Sequence, residues 1–310
     1  MHIALYTHSR LPVEGYGGTQ RVVVWLARGL AELGHRVTLL APAGTRVPEA
    51  ELIPLHAGKI LQPGFDLTPM LPDSVDILHA HGPLRTSPAH PHVFTLHGNL
   101  ASGRRPRPNT VFVSADHAHR HGGRAFVYNG VDPTDFVFRP DKADYDLFLG
   151  RLHTIKGYRW AVQGAKRSGR PIIVAGGWRP SLSRRIRFVG SVAGERKAAL
   201  LSGARCLWMP ALWDEPFGLT LVEAMMSGTP VLGTRRGALP EVISEAVGAL
   251  GDSLDELVAL RPSIERCDAY ACRARAERWF SHTIMAQEYS RMYCQYLSTG
   301  ILPDGRLAGL

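Results

Sequence analysis

Trp213-Asp-Glu-Pro-Phe-Gly-Leu-Thr-Leu-Val-Glu223 places two carboxylates around a turn and the start of a helix. A short apolar segment ending at Pro210 reads as a buried strand, Glu215-Pro-Phe-Gly218 as a turn, and Leu219 onward as a helix. Unpaired N–H groups at a helix start attract phosphate, and Gly218 lets a ligand approach the backbone closely. Glu215 lies on the turn and Glu223 about two turns into the helix. Two carboxylates repel a phosphate but suit sugar hydroxyls, so the stretch fits a ligand carrying both. Taken singly, Glu215 reads equally well as a site residue or a surface capping acid, and Glu223 as a site residue or a solvated helix acid. Their arrangement favours a site.

Two series of strand–helix units position this stretch. The first has strands at His2–Thr7, Arg36–Ala41, Ile77–Ala80, Val93–Leu96, Thr110–Ser114 and Ala125–Tyr128, with an amphipathic helix from Thr19 to Leu33 closed by Gly34. Asp132 to Asp144 is polar and broken by Pro, as a linker is. The second has strands at Leu147–Gly150, Ile172–Ala175, Ile186–Val189, Cys206–Pro210 and Val231–Gly233. Its helices fall at Arg159–Arg167, Glu195–Ser202 and Leu219–Ser227, and the chain is helical again from about Arg261. Short apolar strands alternating with helices imply parallel sheets covered on both faces. The fold class is therefore α/β, with two Rossmann-like doubly wound domains facing across a ligand-binding cleft.

Composition narrows the function. The 310 residues, 45% hydrophobic and 20% charged, suffice for two ordinary cores. No apolar run approaches the roughly 20 residues that span a bilayer. The first residues read as a strand rather than a secretory leader. Four cysteines, Cys206, Cys267, Cys272 and Cys294, lack metal-ligand spacing, so a reduced cytoplasmic protein is expected. The net charge of +9 divides into +2 before Tyr145 and +7 from Tyr145 onward. That excess suits an anionic small molecule or membrane surface; no basic–aromatic stripe or zinc spacing supports nucleic acid. Arginine dominates it, the only lysines being Lys59, Lys142, Lys156, Lys166 and Lys197. A lysine kept in so arginine-rich a chain marks a position to inspect.

Glu-Pro-Phe-Gly-Leu-x-x-x-Glu-Ala-Met, followed by Gly-Thr-Pro-Val and Gly-Ala-Leu-Pro-Glu, resembles the retaining glycosyltransferases of family 4, which have the GT-B fold. Phe148-Leu-Gly-Arg-Leu-His-Thr-Ile-Lys-Gly157, Tyr128-Asn-Gly-Val-Asp132, Gly17-Gly18-Thr-Gln-Arg, Asp76-Ile-Leu-His-Ala-His81 and Thr95-Leu-His-Gly98 are similar to further motifs of that family. The resemblance implies that Arg151 and Lys156 grip the donor diphosphate, as a planar fork and a mobile point charge. Gly17 and Gly18 would offer backbone N–H groups to the same diphosphate. Glu223 would bind the ribose hydroxyls and Glu215 would lie by the donor sugar. Phe217 and Gly218 would hold that sugar through their backbone, with Leu219 beside them. His97 would sit near the reacting sugar and Val192 in the loop under the nucleobase. His79 and His81 are read as structural. Surface cations, a plain loop-to-helix turn and a structural histidine are the bland alternatives for these groups.

Two other motifs are set aside. Asp144-Tyr145-Asp146 has the Asp-x-Asp form of a metal–nucleotide site but runs directly into a strand, so no essential metal is expected. Gly15-Tyr-Gly-Gly-Thr-Gln lacks the third glycine of a dinucleotide fingerprint, and the next strand ends in Ala41-Pro42 without a ribose-binding acid. The chain is short for the family. Between Leu40 and Asp76 there is little room for extra acceptor-shaping helices, and the Gly176–Ile186 connection is abbreviated. Arg104, Arg105 and Arg107 form a basic patch that leaves peripheral membrane contact open, with a solvated loop as the plainer reading.

The expectation is a two-domain transferase without cofactor, moving a sugar from a nucleoside diphosphate donor to a hydroxyl of a saccharide, natural product or lipid-linked acceptor. Residues 1–142 form the acceptor-side domain, with a C-terminal helix at about 283–310 packing back on it. Residues 143–282 form the nucleotide-sugar domain. The alternatives are another GT-B sugar-nucleotide enzyme, an epimerase or phosphorylase, and a non-catalytic sugar-nucleotide-binding protein.

Overall fold

The computed structural model describes residues 1–13, 15 and 17–309; Glu14, Tyr16 and Leu310, and with Tyr16 part of the Gly15–Gln20 stretch, lie outside the described residues. The chain divides into two units. The first is Met1–Asp132 with Ser281–Arg306, and the second Pro133–Phe280 with Leu307–Leu310.

The first unit contains β1 (His2–Tyr6), α1 (Gly18–Glu32), β2 (Arg36–Pro42), β3 (Glu51–Leu55), α2 (Ala57–Ile60), β4 (Ile77–Ala80), β5 (His92–Thr95), β6 (Thr110–Val111) and α3 (Ala115–Arg120). All strand pairs are parallel and the order is β3-β2-β1-β4-β5-β6. β1 and β4 are buried along their whole length. Continuous apolar runs are what a parallel sheet covered on both faces requires. On α1, Val22, Val23, Leu26 and Leu30 recur at helical spacing and are buried.

The second unit continues with β7 (Asp146–Leu149), α4 (Tyr158–Arg167), β8 (Ile172–Ala175), β9 (Ile186–Phe188), α5 (Gly194–Gly203), β10 (Cys206–Met209), α6 (Leu219–Met226), β11 (Val231–Thr234), α7 (Leu239–Val242), β12 (Gly248–Gly251), α8 (Leu254–Leu260) and α9 (Ala269–Phe280). Its parallel order is β12-β11-β10-β7-β8-β9. Numbered from its own first strand this is the same 3-2-1-4-5-6 order as the first unit, each half being a doubly wound sheet. Its core gathers Phe148, Ile172, Val174, Trp208 and Leu232 with Tyr158 and Leu257. The last helix, α10 (His282–Thr299), belongs to the first unit and packs on α1, burying Met285, Ala286, Tyr289, Met292 and Tyr293.

Several expectations need correction. β3 carries no strand signal in the sequence, because Pro54 and Glu51 break its apolar pattern; it is an edge strand, where Pro costs no ladder bond. β12, Gly-Ala-Leu-Gly, carries too little apolar signal to be read as a strand. Ala125–Tyr128 forms only a single bridge, Phe126 to Phe112, beyond the two-residue β6. The segment after Asp132 is not a free linker: Arg139 N donates to Ser227 O, and Lys142 Nζ bonds Ser202 O, Ser227 O and Thr229 Oγ1. The boundary therefore falls after Asp132 rather than at 142, and residues 307–310 return to the second unit. Among the described residues no helix is long and apolar enough to cross a membrane.

Candidate active site

In a doubly wound sheet the ligand site lies at the carboxyl ends of the strands, where the strand order reverses. In the second unit that point lies between β7 and β10, and the loops after these two strands carry Arg151, Lys156, Glu215, Phe217 and Gly218. The loops are locked together. Leu212 N donates to Ile155 O at 2.8 Å. Gly157, at φ 72°, lies so close to Pro210 that a Cβ there would stand 1.7 Å from its carbonyl oxygen. Only glycine meets both demands.

Lys156 ends a short 3-10 turn, Thr154–Lys156, capped by the His153 side chain. Its Nζ lies 2.6 Å from Glu215 Oε2 and 4.5 Å from the centroid of the Trp213 ring. Trp213 Nε1 donates to the same carboxylate oxygen at 2.9 Å. Glu215 is 8% exposed, and its carbonyl accepts from Ala238 N at 2.9 Å. Phe217 is buried edge-on against Phe280. Gly218 takes the left-handed conformation, φ 89°, which lets the chain turn into α6 with Leu219 as its first residue.

Glu223 is no solvated helix acid. It is 1% exposed, and Lys197 Nζ on α5 sits 2.6 Å from its Oε2. Lys197 lies in no family motif, and its only signal in the sequence is that it is one of five lysines. Three of the five lysines, Lys142, Lys156 and Lys197, form buried or half-buried contacts, while Lys59 and Lys166 are exposed. Lys142 is structural: it binds carbonyls at the ends of α5 and α6, and burial draws its ammonium down to about 8. Arg151 follows β7 on an exposed loop, and Val192 is half-buried just before α5.

In the first unit, Gly17 is the N-cap of α1 in an extended conformation, and its carbonyl accepts from Arg21 N. Gly18 opens the helix. His97 follows β5, with Nε2 placed 2.9 Å from Nδ1 of His81, which follows β4. Burial draws the His97 imidazole down to about 4 and His81 well below the usual histidine range. His79 is structural as expected, with Tyr293 OH on Nδ1 and Thr95 Oγ1 on Nε2. His81 departs from that reading, because its Nε2 is buried without a partner.

The Asp-x-Asp segment has a structural explanation. Asp146, fully buried at the start of β7, receives Arg261 Nε at 2.7 Å, Arg261 Nη2 at 2.5 Å and Trp208 Nε1 at 2.8 Å. Among the described residues no group of three or more His, Cys, Asp or Glu side chains is placed to hold a metal ion. All three residues of the basic trio are exposed, and Arg107 also donates from Nη2 to Leu84 O at 2.8 Å.

Two family models match the chain: Glycosyltransferase Family 4 over residues 16–128, and Glycosyl transferases group 1 over residues 144–261. The chain is 27% identical to a phosphatidyl-myo-inositol mannosyltransferase of Mycobacterium leprae, across 92% of this chain and 94% of that protein. Among solved structures it is similar to AviGT4, a glycosyltransferase involved in avilamycin A biosynthesis, at 28% identity and a TM-score of 0.77, covering 96% and 98% of the two chains. Anabaena HepE in complex with UDP-glucose shares the fold, at 18% identity and a TM-score of 0.67, covering 95% of this chain and all of that one. The matched models cover β2 to β6 of the first sheet and the whole second sheet, and the chain belongs to the family-4 glycosyltransferases, with the GT-B fold.

Proposed function

We propose that this glycosyltransferase takes its sugar from a nucleoside diphosphate donor and passes it, with retention of configuration, to an acceptor hydroxyl. The observation that carries the reading is the pair of lysine–glutamate contacts around α6, Lys156–Glu215 before the helix start and Lys197–Glu223 within it. Each carboxylate can take sugar or ribose hydroxyls while its lysine keeps the buried charge balanced. The backbone at Gly218 and Leu219 presents the positive end of α6 to the diphosphate. HepE, a relative in fold, is known in complex with UDP-glucose, which supports the same donor class here.

In the reaction the bond from the anomeric carbon to the β-phosphate oxygen breaks, and its electron pair stays with the diphosphate. Arg151 and Lys156 stabilise that developing charge, usually the largest contribution a site of this kind makes. The acceptor oxygen bonds to the same face of the anomeric carbon, and its proton passes to the departing phosphate oxygen. The products are a glycoside and a protonated nucleoside diphosphate. These side chains supply the positive charge, so the scheme needs no metal ion. The four free cysteines fit a reducing compartment such as the cytoplasm.

The test is a thermal-shift screen with UDP, GDP, ADP and dTDP sugars, followed by a transfer assay on the donor that binds. A ligand present at 100 times its Kd stabilises by about 2.7 kcal/mol, so the cognate base should stand out. A shift from no nucleotide sugar would sink the proposal.

A further inference from the structure

His81 and His97 follow neighbouring parallel strands, β4 and β5, paired through Leu78–His92, His79–Val93 and Ala80–Phe94. Their rings stack with centroids 5.2 Å apart, and His81 in turn lies 4.0 Å from His79. His79 is held from both sides: Tyr293 OH is 2.5 Å from its Nδ1, and Thr95 Oγ1, bonded to Tyr289 OH, is 2.7 Å from its Nε2. The His81 ring therefore rests on a fixed polar floor. It is 4% exposed, and its Nε2 is buried with no partner.

The 2.9 Å contact between His81 Nδ1 and His97 Nε2 holds one proton when both rings are neutral. Burial keeps them neutral. The proton has two places. On His97 Nε2, it would force His81 to carry its own proton on Nε2, a buried N–H without an acceptor. On His81 Nδ1, it leaves Nε2 of His81 only a lone pair to bury. Orphaned buried N–H groups are the rarer and costlier kind.

We infer that His81 is a positioning residue that donates from Nδ1 to His97 and fixes His97 as the Nδ1–H tautomer. His97 then presents an N–H to an oxygen of the reacting sugar and is not a base at that nitrogen. This rests on the reading of His97 as a residue at the donor sugar, and deepens it by naming the role: a hydrogen-bond donor to a hydroxyl or ring oxygen.

The experiment uses the full chain labelled with 15N-histidine, read by two-bond 15N–1H correlation at pH 7.5, beside steady-state transfer kinetics. The variants are His81→Phe, which removes the donor, His81→Asn, which keeps an N–H near the Nδ1 position, and His97→Ala. The wild type should show His97 protonated on Nδ1. His81→Phe should move that proton to Nε2 and lower kcat by roughly 100-fold with donor KM little changed, as for a lost transition-state donor. His81→Asn should keep the Nδ1–H tautomer and restore most of kcat. His97 protonated on Nε2 in the wild type, or Phe and Asn variants with equal kcat, would overturn the inference. Normal transfer by His97→Ala would instead overturn the placement of His97 at the sugar, while the spectra of the wild type still decide what His81 does to its tautomer.

Discussion

Lys156 Nζ stands 2.6 Å from Glu215 Oε2 and faces the ring of Trp213, whose Nε1 binds the same carboxylate oxygen. One lysine, one glutamate and one tryptophan from the loops after β7 and β10 thus form a closed charge unit at the reversal point of the second sheet. A diphosphate arriving there can draw the ammonium toward itself while Trp213 keeps the carboxylate in place. Under the proposed function that exchange would free Glu215 for sugar hydroxyls, and it underlies the first expected outcome.

Lys156→Ala should lower kcat by about 100- to 1,000-fold, the range for one lost donor to a developing anion. Lys156→Arg should recover only part, because the larger guanidinium spreads its charge and cannot place it where the compact ammonium sits, 2.6 Å from Glu215. Coupled assay of the released nucleoside diphosphate measures both. Near-normal turnover in the alanine variant would remove Lys156 from the diphosphate grip.

Lys197→Met leaves the Glu223 carboxylate, 1% exposed, without this ammonium. Breaking a buried pair on one side costs about 3–5 kcal/mol, so the melting point should fall well below the wild type. The double variant Lys197→Met/Glu223→Gln should regain most of that stability and still bind nucleotide at least tenfold more weakly. Calorimetric titration and thermal melts separate the two effects. Equal nucleotide affinity in the double variant and the wild type would refute a ribose role for Glu223.

Asp146→Asn should destabilise by about 3–5 kcal/mol, because the Arg261 guanidinium loses its buried carboxylate and keeps only the half-exposed Glu265. Activity per folded molecule should stay the same, and wild-type transfer should be insensitive to EDTA. A folded but inactive Asp146→Asn enzyme, or one silenced by the chelator, would reinstate a metal role for the Asp-x-Asp segment.

Gly157→Ala combines a left-handed φ of 72° with a Cβ 1.7 Å from Pro210 O, so the two site loops must separate. Both melting point and kcat should fall, with kcat falling further than stability alone explains at a temperature where the variant is folded. Unchanged kinetics in a folded variant would mean that the contact does not place Lys156.

Acid should destabilise the first unit before its carboxylates titrate. Burial draws His97 to about 4, and burial with neighbouring His121 and Arg120 draws His117 to about 3. These values lie below the usual histidine value of 6.5, so the unfolded chain binds more protons between the two. Stability is full above about pH 6.5 and falls with pH through that window, by about 1.4 kcal/mol per pH unit for each such histidine. Denaturant melts from pH 8 to pH 4.5 test this. A His97→Gln variant should show a shallower slope, and an unchanged slope would contradict it.

The order and alternation of apolar strands, the glycine-marked turns and the two glutamates on their turn and helix were legible in the sequence, because periodicity and turn chemistry are local properties. Ile77–Ala80 and Ile172–Ala175 emerge with the ends expected. Less was legible where one residue's meaning depends on a distant one. β3 hides behind Pro54, whose missing N–H matters only once β3 is known to lie at a sheet edge. Glu223 is legible as a site acid, but its partner is not until α5 brings Lys197 over it across 26 residues of chain. Asp146 reads only as a strand-leading acid until Arg261, 115 residues later, closes on it and explains its burial. His81 passes for one of 14 histidines until parallel pairing of β4 and β5 sets it against His97. The sequence by itself determined the two doubly wound sheets and the residue types that can hold a sugar and a diphosphate. The tertiary structure alone decided which charges neutralise one another and which nitrogen carries a proton, since burial and distance between remote side chains set both.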